Sequence, residues 1–435
     1  MQRKGTQPRL IQAMMDIWAL PDLRRKILFT LGMLAVFRFL AHVPLPLPGI
    51  QSALADFFGE NLLFGMVDLF SGGAMSSFSI VATGIYPYIT SSIIMQLLVP
   101  VIPRLQAISQ EGDVGRQKIN RITHMMTVPL AGLQGFGMLT ILRVQGITAA
   151  YEPLGHMTIA TILATMVAGT MFLVWLGELI TERGIGNGIS IIIFGGIVAG
   201  LPSMIGRVFL TPDPGQVAGF LILSAATLVL IVVFVEAHRR IPVQYARSSF
   251  RAGRMYRQSG STYIPLRVNT AGMIPIIFAL AIMQFPATIA SFFMGPENAP
   301  NFWNRVTQIF QADSFLYQGF YFLLVIGFAF FYTLTIFEQM NLAQTLQRQS
   351  GFVPGVRPGK ATSEYLNKVI KRITFGGALF LAAVAIMPFV ASQLTGAAML
   401  VLESTAMLIA VGVSLDTMKQ LEAQLTMRRY EGFLK

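Results

Sequence analysis

The chain has 435 residues, 54% of them hydrophobic and 12% charged, a formal net charge of +12 and no cysteine. It is too apolar for an ordinary soluble protein of this length, and disulfides and thiolate metal sites are excluded. The surplus of positive charge is unevenly distributed, and its distribution decides the topology.

Ten apolar stretches can be read in chain order. They lie near residues 27–43, 77–101, 122–142, 158–180 and 189–204, then 217–235, 270–293, 316–336, 373–390 and 398–418. Most reach the ~20 helical residues that a bilayer core requires. The first follows Arg24, Arg25 and Lys26 as a signal peptide would. However, it runs into Pro44-Leu-Pro-Leu-Pro48 with no small-residue cleavage site, so a retained anchor is expected. With both termini on one side, the connections on that side hold 28 of the 32 Lys and Arg residues. The other side holds Arg143, Arg207 and Arg305, and Arg38 lies inside the first stretch. The positive-inside rule then puts both termini in the cytoplasm. A basic face of this kind attracts anionic lipid headgroups and acidic or nucleic-acid-rich partners.

Between the first and second stretches lies an apolar segment, residues 62–73, too short to cross and ended by Gly72-Gly73. Segments of this length are re-entrant or interfacial. Two placements fit: a helix flat on the outer headgroups, or one folded back into a central cavity as a plug. Two connections on the basic side, 236–268 and 337–372, exceed what a helical turn needs. The first carries seven arginines and the strand-like runs Ile241-Pro-Val-Gln-Tyr245 and Ser261-Thr-Tyr-Ile-Pro265. The second carries the turn-rich Phe352-Val-Pro-Gly-Val-Arg-Pro-Gly359. Both read as ordered projections.

Ten spans divide into five and five (residues 1–210 and 211–435), and an odd number per half makes the halves inverted. The second span of each half carries a matching pattern, Gly84-Ile-Tyr-Pro-Tyr-Ile89 and Gly272-Met-Ile-Pro-Ile-Ile277. Gly three residues before Pro weakens a helix there and predicts a bend or hinge. Interrupted helices at matching places in inverted halves point to a site between the halves.

Motifs for chemistry are mostly lacking. Gly355-Val-Arg-Pro-Gly-Lys-Ala-Thr362 fails as a phosphate loop, because Pro354 and Ala361 stand where Gly and Ser/Thr are required. The four histidines lack ligand spacing, and no carboxylate pair falls at mid-membrane, which argues against an ion-coupled pump. What the interrupted helices offer is isoleucine. Ile85 and Ile89 share a helical face, and Ile189 and Ile193 repeat the spacing. Were these faces to meet Ile277 and Ile409 between the halves, they would form an apolar constriction that blocks ions by dewetting. The plainer reading is that such isoleucines face lipid or a neighbouring helix. A secondary transporter with ten spans and inverted repeats is the alternative architecture, and it would need a polar pocket at mid-membrane.

Several stretches together resemble the SecY family, the channel subunit of the Sec protein translocase, nearly end to end. They are Phe70-Ser-Gly-Gly73, Gly84-Ile-Tyr-Pro-Tyr-Ile89, Glu111-Gly-Asp-Val-Gly115 and Ile180-Thr-Glu-Arg-Gly-Ile-Gly-Asn-Gly-Ile-Ser190. Further on come Arg239-Arg-Ile-Pro-Val-Gln-Tyr-Ala246, Asn269-Thr-Ala-Gly-Met-Ile-Pro275, Gly351-Phe-Val-Pro-Gly-Val-Arg-Pro-Gly359 and Tyr430-Glu-Gly-Phe-Leu434. Two departures are minor: residues 43–49 run two residues longer than usual, and Met255 stands where many relatives have a second arginine.

The resemblance implies an all-α polytopic membrane protein of ten transmembrane helices in two inverted halves, with a short re-entrant plug helix. It implies a protein-conducting channel rather than an enzyme, with no cofactor. The family's pore ring falls on Ile85, Ile89, Ile189, Ile193, Ile277 and Ile409. Its plug falls on Leu62, Phe64, Met66, Leu69, Phe70, Gly72 and Gly73, and the polar positions of its lateral gate on Thr90, Gln134 and Asn269. Docking of the ribosome and of the SecA ATPase falls on the two long loops, with Arg254 and Arg357 at critical places. Implied partners are SecE and SecG, SecA, the ribosome with its RNA and protein, nascent chains bearing signal sequences, and anionic lipid. The implied location is the bacterial cytoplasmic membrane.

Overall fold

The structure, a computed structural model, describes residues 20–45, 54, 68, 71–144, 155–210, 214–251, 254–269, 272, 274–293, 302–310, 314–340, 342–395 and 399–431. Its helices follow the apolar stretches. The first half holds α1 (Pro21–Leu40), α2 (Tyr86–Val101), the short α3 (Pro103–Ser109), α4 (Asp113–Val144), α5 (His156–Arg183) and α6 (Gly188–Leu210). The second half begins with α7 (Pro214–Glu236), the strands β1 (His238–Arg251) and β2 (Arg254–Arg267), and α8 (Ile274–Phe292). The short α9 (Phe302–Ile309), α10 (Phe315–Met340), the short α11 (Leu342–Arg348), β3 (Gly351–Phe352), α12 (Lys360–Thr395) and α13 (Met399–Glu431) complete it. Among the described residues, four segments are each long and apolar enough to cross a bilayer unaided: Asp113–Arg143, His156–Arg183, Phe315–Arg348 and Lys360–Met387. The pair α2 and α3, bent by 102° at Ile102, passes the same test when the two are taken together. The bend follows from Pro103, which holds Ile102 extended at φ −97° and ψ 112°.

The second stretch departs from expectation. It was read as helix from residue 77, but α2 starts only at Tyr86, and residues 72–85 form turns. Gly84 takes the left-handed conformation at φ +58°, and Pro87 occupies the first helical turn, where its missing N–H costs nothing. Gly272 at φ +63° precedes α8 in the same way, with Pro275 in that helix's first turn. The repeated Gly-x-x-Pro pattern therefore starts two helices and bends neither. The turns before α2 lie against the exit of α1, through bonds from Leu45 N to Phe78 O (2.8 Å) and from Ile80 N to Val43 O (3.0 Å).

Each set of five long helices packs on itself, and the halves meet along two seams. At one, α2 and α4 face α8; at the other, α6 faces α13. Apolar burial holds these seams together, for one cluster of buried side chains runs from Phe37 in α1 to Val413 in α13.

The two basic loops form one unit. β1 and β2 pair antiparallel along their whole length, with Ile241 opposite Ile264 and Val243 opposite Thr262. β3 from the second loop pairs with β1 at Gln244–Phe352 and Tyr245–Gly351, giving the order β2-β1-β3. Alternate residues of β1 point one way, so Ile241 and Val243 reach a small separate core with Leu266, Leu346, Val353, Leu366 and Ile370. The expected strands are thus present and longer than read, and the helical membrane part gains a β element on its basic side.

Candidate functional site

The six isoleucines all belong to, or pack against, one extended apolar cluster. Ile85, Ile89, Ile193 and Ile409 are buried members of the cluster at the seams, and Ile189 and Ile277 are half-buried against it. Five of the six sit at or just inside helix starts. Ile85 caps α2 and accepts the backbone N–H of Ile89 at 3.1 Å, Ile189 and Ile193 open α6, and Ile277 opens α8. Only Ile409 lies within a continuous helix, α13. Ile189 also leans on α5, since a Cβ on Gly177 would lie 3.0 Å from its Cγ1. Apolar burial is what this arrangement offers a solute; it has no charge with which to hold one.

Of the segment expected to plug the channel, Leu62, Phe64, Met66, Leu69 and Phe70 lie outside the described residues. Its end is described. Gly72 and Gly73 are left-handed at φ +71° and +80°, a conformation open to Gly at little cost. A Cβ on Gly72 would lie 2.9 Å from Gly196 Cα and 3.1 Å from Phe37 Cζ, so this turn touches α6 and α1 directly. Asp68 folds the turn: its Oδ1 accepts the N–H groups of Met75 (3.0 Å) and Ser76 (2.8 Å). Burial pushes the Asp68 carboxyl above its usual range, and the donors from Ser76, Met75 and Ser71 pull it back in part.

Thr90 lies on α2, Gln134 on α4 and Asn269 just before α8, the elements of one seam, and among the described residues no hydrogen bond joins the three to one another. Thr90 Oγ1 donates to Tyr86 O within its own helix (3.1 Å), and Asn269 Nδ2 donates to Gly272 O (3.0 Å), folding the turn before α8. The bond that does cross the seam runs from Tyr86 Oη to Ala281 O, 2.8 Å. Sequence reasoning missed Tyr86, for a tyrosine beside a proline carries no local sign of a distant acceptor. It also missed His124 of α4 and Glu178 of α5, distant in sequence, whose Nε2 and Oε1 lie 3.1 Å apart without hydrogen-bond alignment. Asn120 Nδ2 donates to the same Glu178 oxygen at 2.8 Å.

On the basic side Arg254 opens β2 at the hairpin tip, opposite Arg251. Arg357 is exposed in the turn between β3 and α12. Gly355 (φ +82°) and Gly359 (φ +102°) shape that turn, and Thr362 Oγ1 pins the Arg357 carbonyl at 2.8 Å. The base of the hairpin is tied to the last helix, since Lys419 Nζ of α13 lies 2.7 Å from Glu236 Oε1 of α7.

Solved structures with this architecture include "The structure of a protein conducting channel", at TM-score 0.64, 15% identity and 92% coverage of both chains. Sec61 in a canine ribosome-channel complex from the endoplasmic reticulum matches at TM-score 0.61 and 15% identity, again over 92% of both chains. The fold is therefore that of the protein-conducting channels, a multi-pass membrane architecture. A family model described as SecY matches residues 79–418. The protein translocase subunit SecY of Streptomyces galbus is 42% identical over 433 residues, 95% of this chain and 98% of that one. SecY of Halalkalibacterium halodurans is also 42% identical, over 98% of this chain and 100% of its own. SecY of Thermotoga maritima is 39% identical over 98% of both. The chain belongs to the SecY family, and this sets aside the small-solute transporter.

Proposed function

We propose that the chain is the conducting subunit of a bacterial protein translocase, passing unfolded polypeptides across the cytoplasmic membrane and releasing hydrophobic segments sideways into lipid. The observation that supports the reading is that Ile85, Ile89, Ile193 and Ile409 belong to one apolar cluster shared by the two halves, with Ile189 and Ile277 packed against it, and we read these six as a pore ring. Such a ring seals around a chain of any sequence, because it offers dispersion contact without specific hydrogen bonds, and when empty it excludes ions by dewetting. Residues 62–73 serve as the channel's plug.

The seam of α2 and α4 with α8 is the lateral gate, bearing Thr90, Gln134 and Asn269. A passing segment leaves through it because each Leu, Ile, Phe or Val favours lipid by ~0.3–0.6 kcal/mol at mid-membrane. The distribution of Lys and Arg supports cytoplasmic termini and a cytoplasmic β2-β1-β3 unit. That unit, with Arg254 and Arg357, is the docking face for the ribosome and the SecA ATPase, and SecE and SecG are the membrane partners. The chain itself performs no chemistry in this reading, and the work comes from translation or the ATPase.

The test uses the absence of native cysteine. A single Ile89→Cys should crosslink to a stalled nascent chain bearing a signal sequence and should not crosslink to one without it. Equal crosslinking of both, or of neither, sinks the reading.

A further inference from the structure

Arg38 is the one Lys or Arg within the first apolar stretch, and it sits in the last turn of α1. A guanidinium inside a spanning helix is costly, so its partner is informative. Among the described residues that partner is not an acid. A guanidinium nitrogen of Arg38 donates to the backbone carbonyl of Gly72, in the turn that ends residues 62–73. Three further observations make this turn a built site. Gly72 is wedged between Gly196 of α6 and Phe37 of α1. Asp68 O accepts the N–H of Gly73 (2.9 Å) and the hydroxyl of Ser71 (2.8 Å), while its carboxylate holds Met75 and Ser76. Ser77 Oγ lies 2.7 Å from Gly73 O and 2.9 Å from Ala41 O, next to α1 again.

We propose that Arg38 is the positioning residue for the resting seal: its bond to Gly72 pins the plug hinge to α1, and opening requires that bond to break. This rests on the reading of residues 62–73 as the plug. The geometry favours a pin over a topogenic charge, because a charge read only by the positive-inside rule needs no carbonyl acceptor on a distant turn. It also explains why arginine stands there, since its several N–H donors reach a carbonyl from a helix without needing an acid.

The test compares Arg38→Leu and Arg38→Gln with deletion of residues 62–70, alone and combined, in membranes holding the whole translocase. Readouts are idle-channel conductance and export of a preprotein with a defective signal sequence. The pin predicts that each Arg38 variant leaks and exports the defective substrate, and that the combined variant leaks no more than the deletion alone. A deletion that leaks beside silent Arg38 variants overturns the pin and leaves the plug standing; a silent deletion overturns the plug itself. Additive leakage assigns Arg38 to the general fold and overturns the pin. Should Arg38→Leu fail to insert, thiol labelling of Ala74→Cys decides with Arg38→Gln alone. Ala74 is fully buried, so labelling should accelerate at least tenfold if the hinge is released, and an unchanged rate refutes the pin.

Discussion

The hydroxyl of Tyr86 donates to the carbonyl of Ala281 at 2.8 Å, joining two residues 195 positions apart across the seam of α2 with α8. A neutral hydrogen bond contributes about 1 kcal/mol net, which is close to the lipid preference of two or three leucines. Tyr86→Phe removes the bond and keeps the ring. The seam should then open about fivefold more readily, and the hydrophobicity at which a model segment enters lipid should fall by about two leucine equivalents. Membrane-insertion assays with a graded Leu/Ala segment measure this; an unshifted threshold means the bond does not hold the gate.

The ring makes a separate prediction. Ile89 and Ile193 are buried in the seam cluster, and replacing both by Asn brings polar groups into the proposed ring, whose seal would depend on its staying dry. The idle channel should conduct in planar bilayers, whereas the double Leu variant, equally apolar, should stay silent. Conductance that tracks side-chain shape instead of polarity would refute dewetting as the seal.

How much of this was legible in the sequence differs from element to element. The ten apolar stretches were readable because each span needs about twenty apolar residues and leaves basic connections on one side. The Gly-x-x-Pro repeat was readable as an interruption but not as a helix start, because Gly84 and Gly272 take positive φ only through the turns that precede them. The strands at 241–245 and 261–265 were visible locally. Their union with β3 was not, since it depends on Gly351 giving way to the Tyr245 ring, where a Cβ would meet Cε1 at 2.8 Å. Arg38 and Asp68 did carry a signal, each being a lone charge in apolar surroundings, but the pattern names no partner for either.

Gly72 and Gly73 separate backbone strain from contact. Both lie at similar positive φ, so alanine at either costs about 1 kcal/mol in backbone conformation. Only at Gly72 would the added Cβ press on backbone, 2.9 Å from Gly196 Cα, while at Gly73 the nearest atom is Ser76 Oγ at 4.0 Å. Gly72→Ala should therefore release the hinge and leak strongly, and Gly73→Ala only slightly. Idle conductance ranks them, and equal leakage would mean that φ alone decides.

Asp68 gives a pH argument. Its carboxyl is raised in the folded hinge, chiefly by burial, so the closed state binds this proton more tightly than an open, hydrated one. The closed hinge is then favoured at pH below the ordinary carboxylate range and loses that advantage as pH rises through the raised value. Asp68→Asn keeps an acceptor for Met75 N and Ser76 N without the buried charge. The hinge should close at least as well as in the parent and lose this pH dependence, whereas Asp68→Ala leaves the Ser76 N–H unpaired and the Met75 N–H with only its longer bond to Ser71 Oγ (3.2 Å), and should leak. Conductance measured from pH 4 to pH 8 checks the sign; a parent channel that leaks more at the acid end contradicts it.

The docking face carries the last prediction. Arg357 is exposed, and its turn is held from beneath by Thr362 and shaped by Gly355 and Gly359, not by its own side chain. Reversing its charge therefore removes nothing from the core of the sheet unit, which consists of Ile241, Val243, Leu266 and their apolar neighbours. Arg357→Glu should insert and fold as the parent does. A guanidinium presented on a fixed turn offers a planar fork of donors to a carboxylate or phosphate, which lysine matches poorly and glutamate repels. In vesicles, Arg357→Glu should abolish ATPase-driven export of a secreted preprotein and Arg357→Lys should weaken it. Thr362→Val, which frees the turn but keeps the charge, should fall between parent and glutamate. Normal export by the glutamate variant would make Arg357 one topogenic charge among 28, with no part in docking.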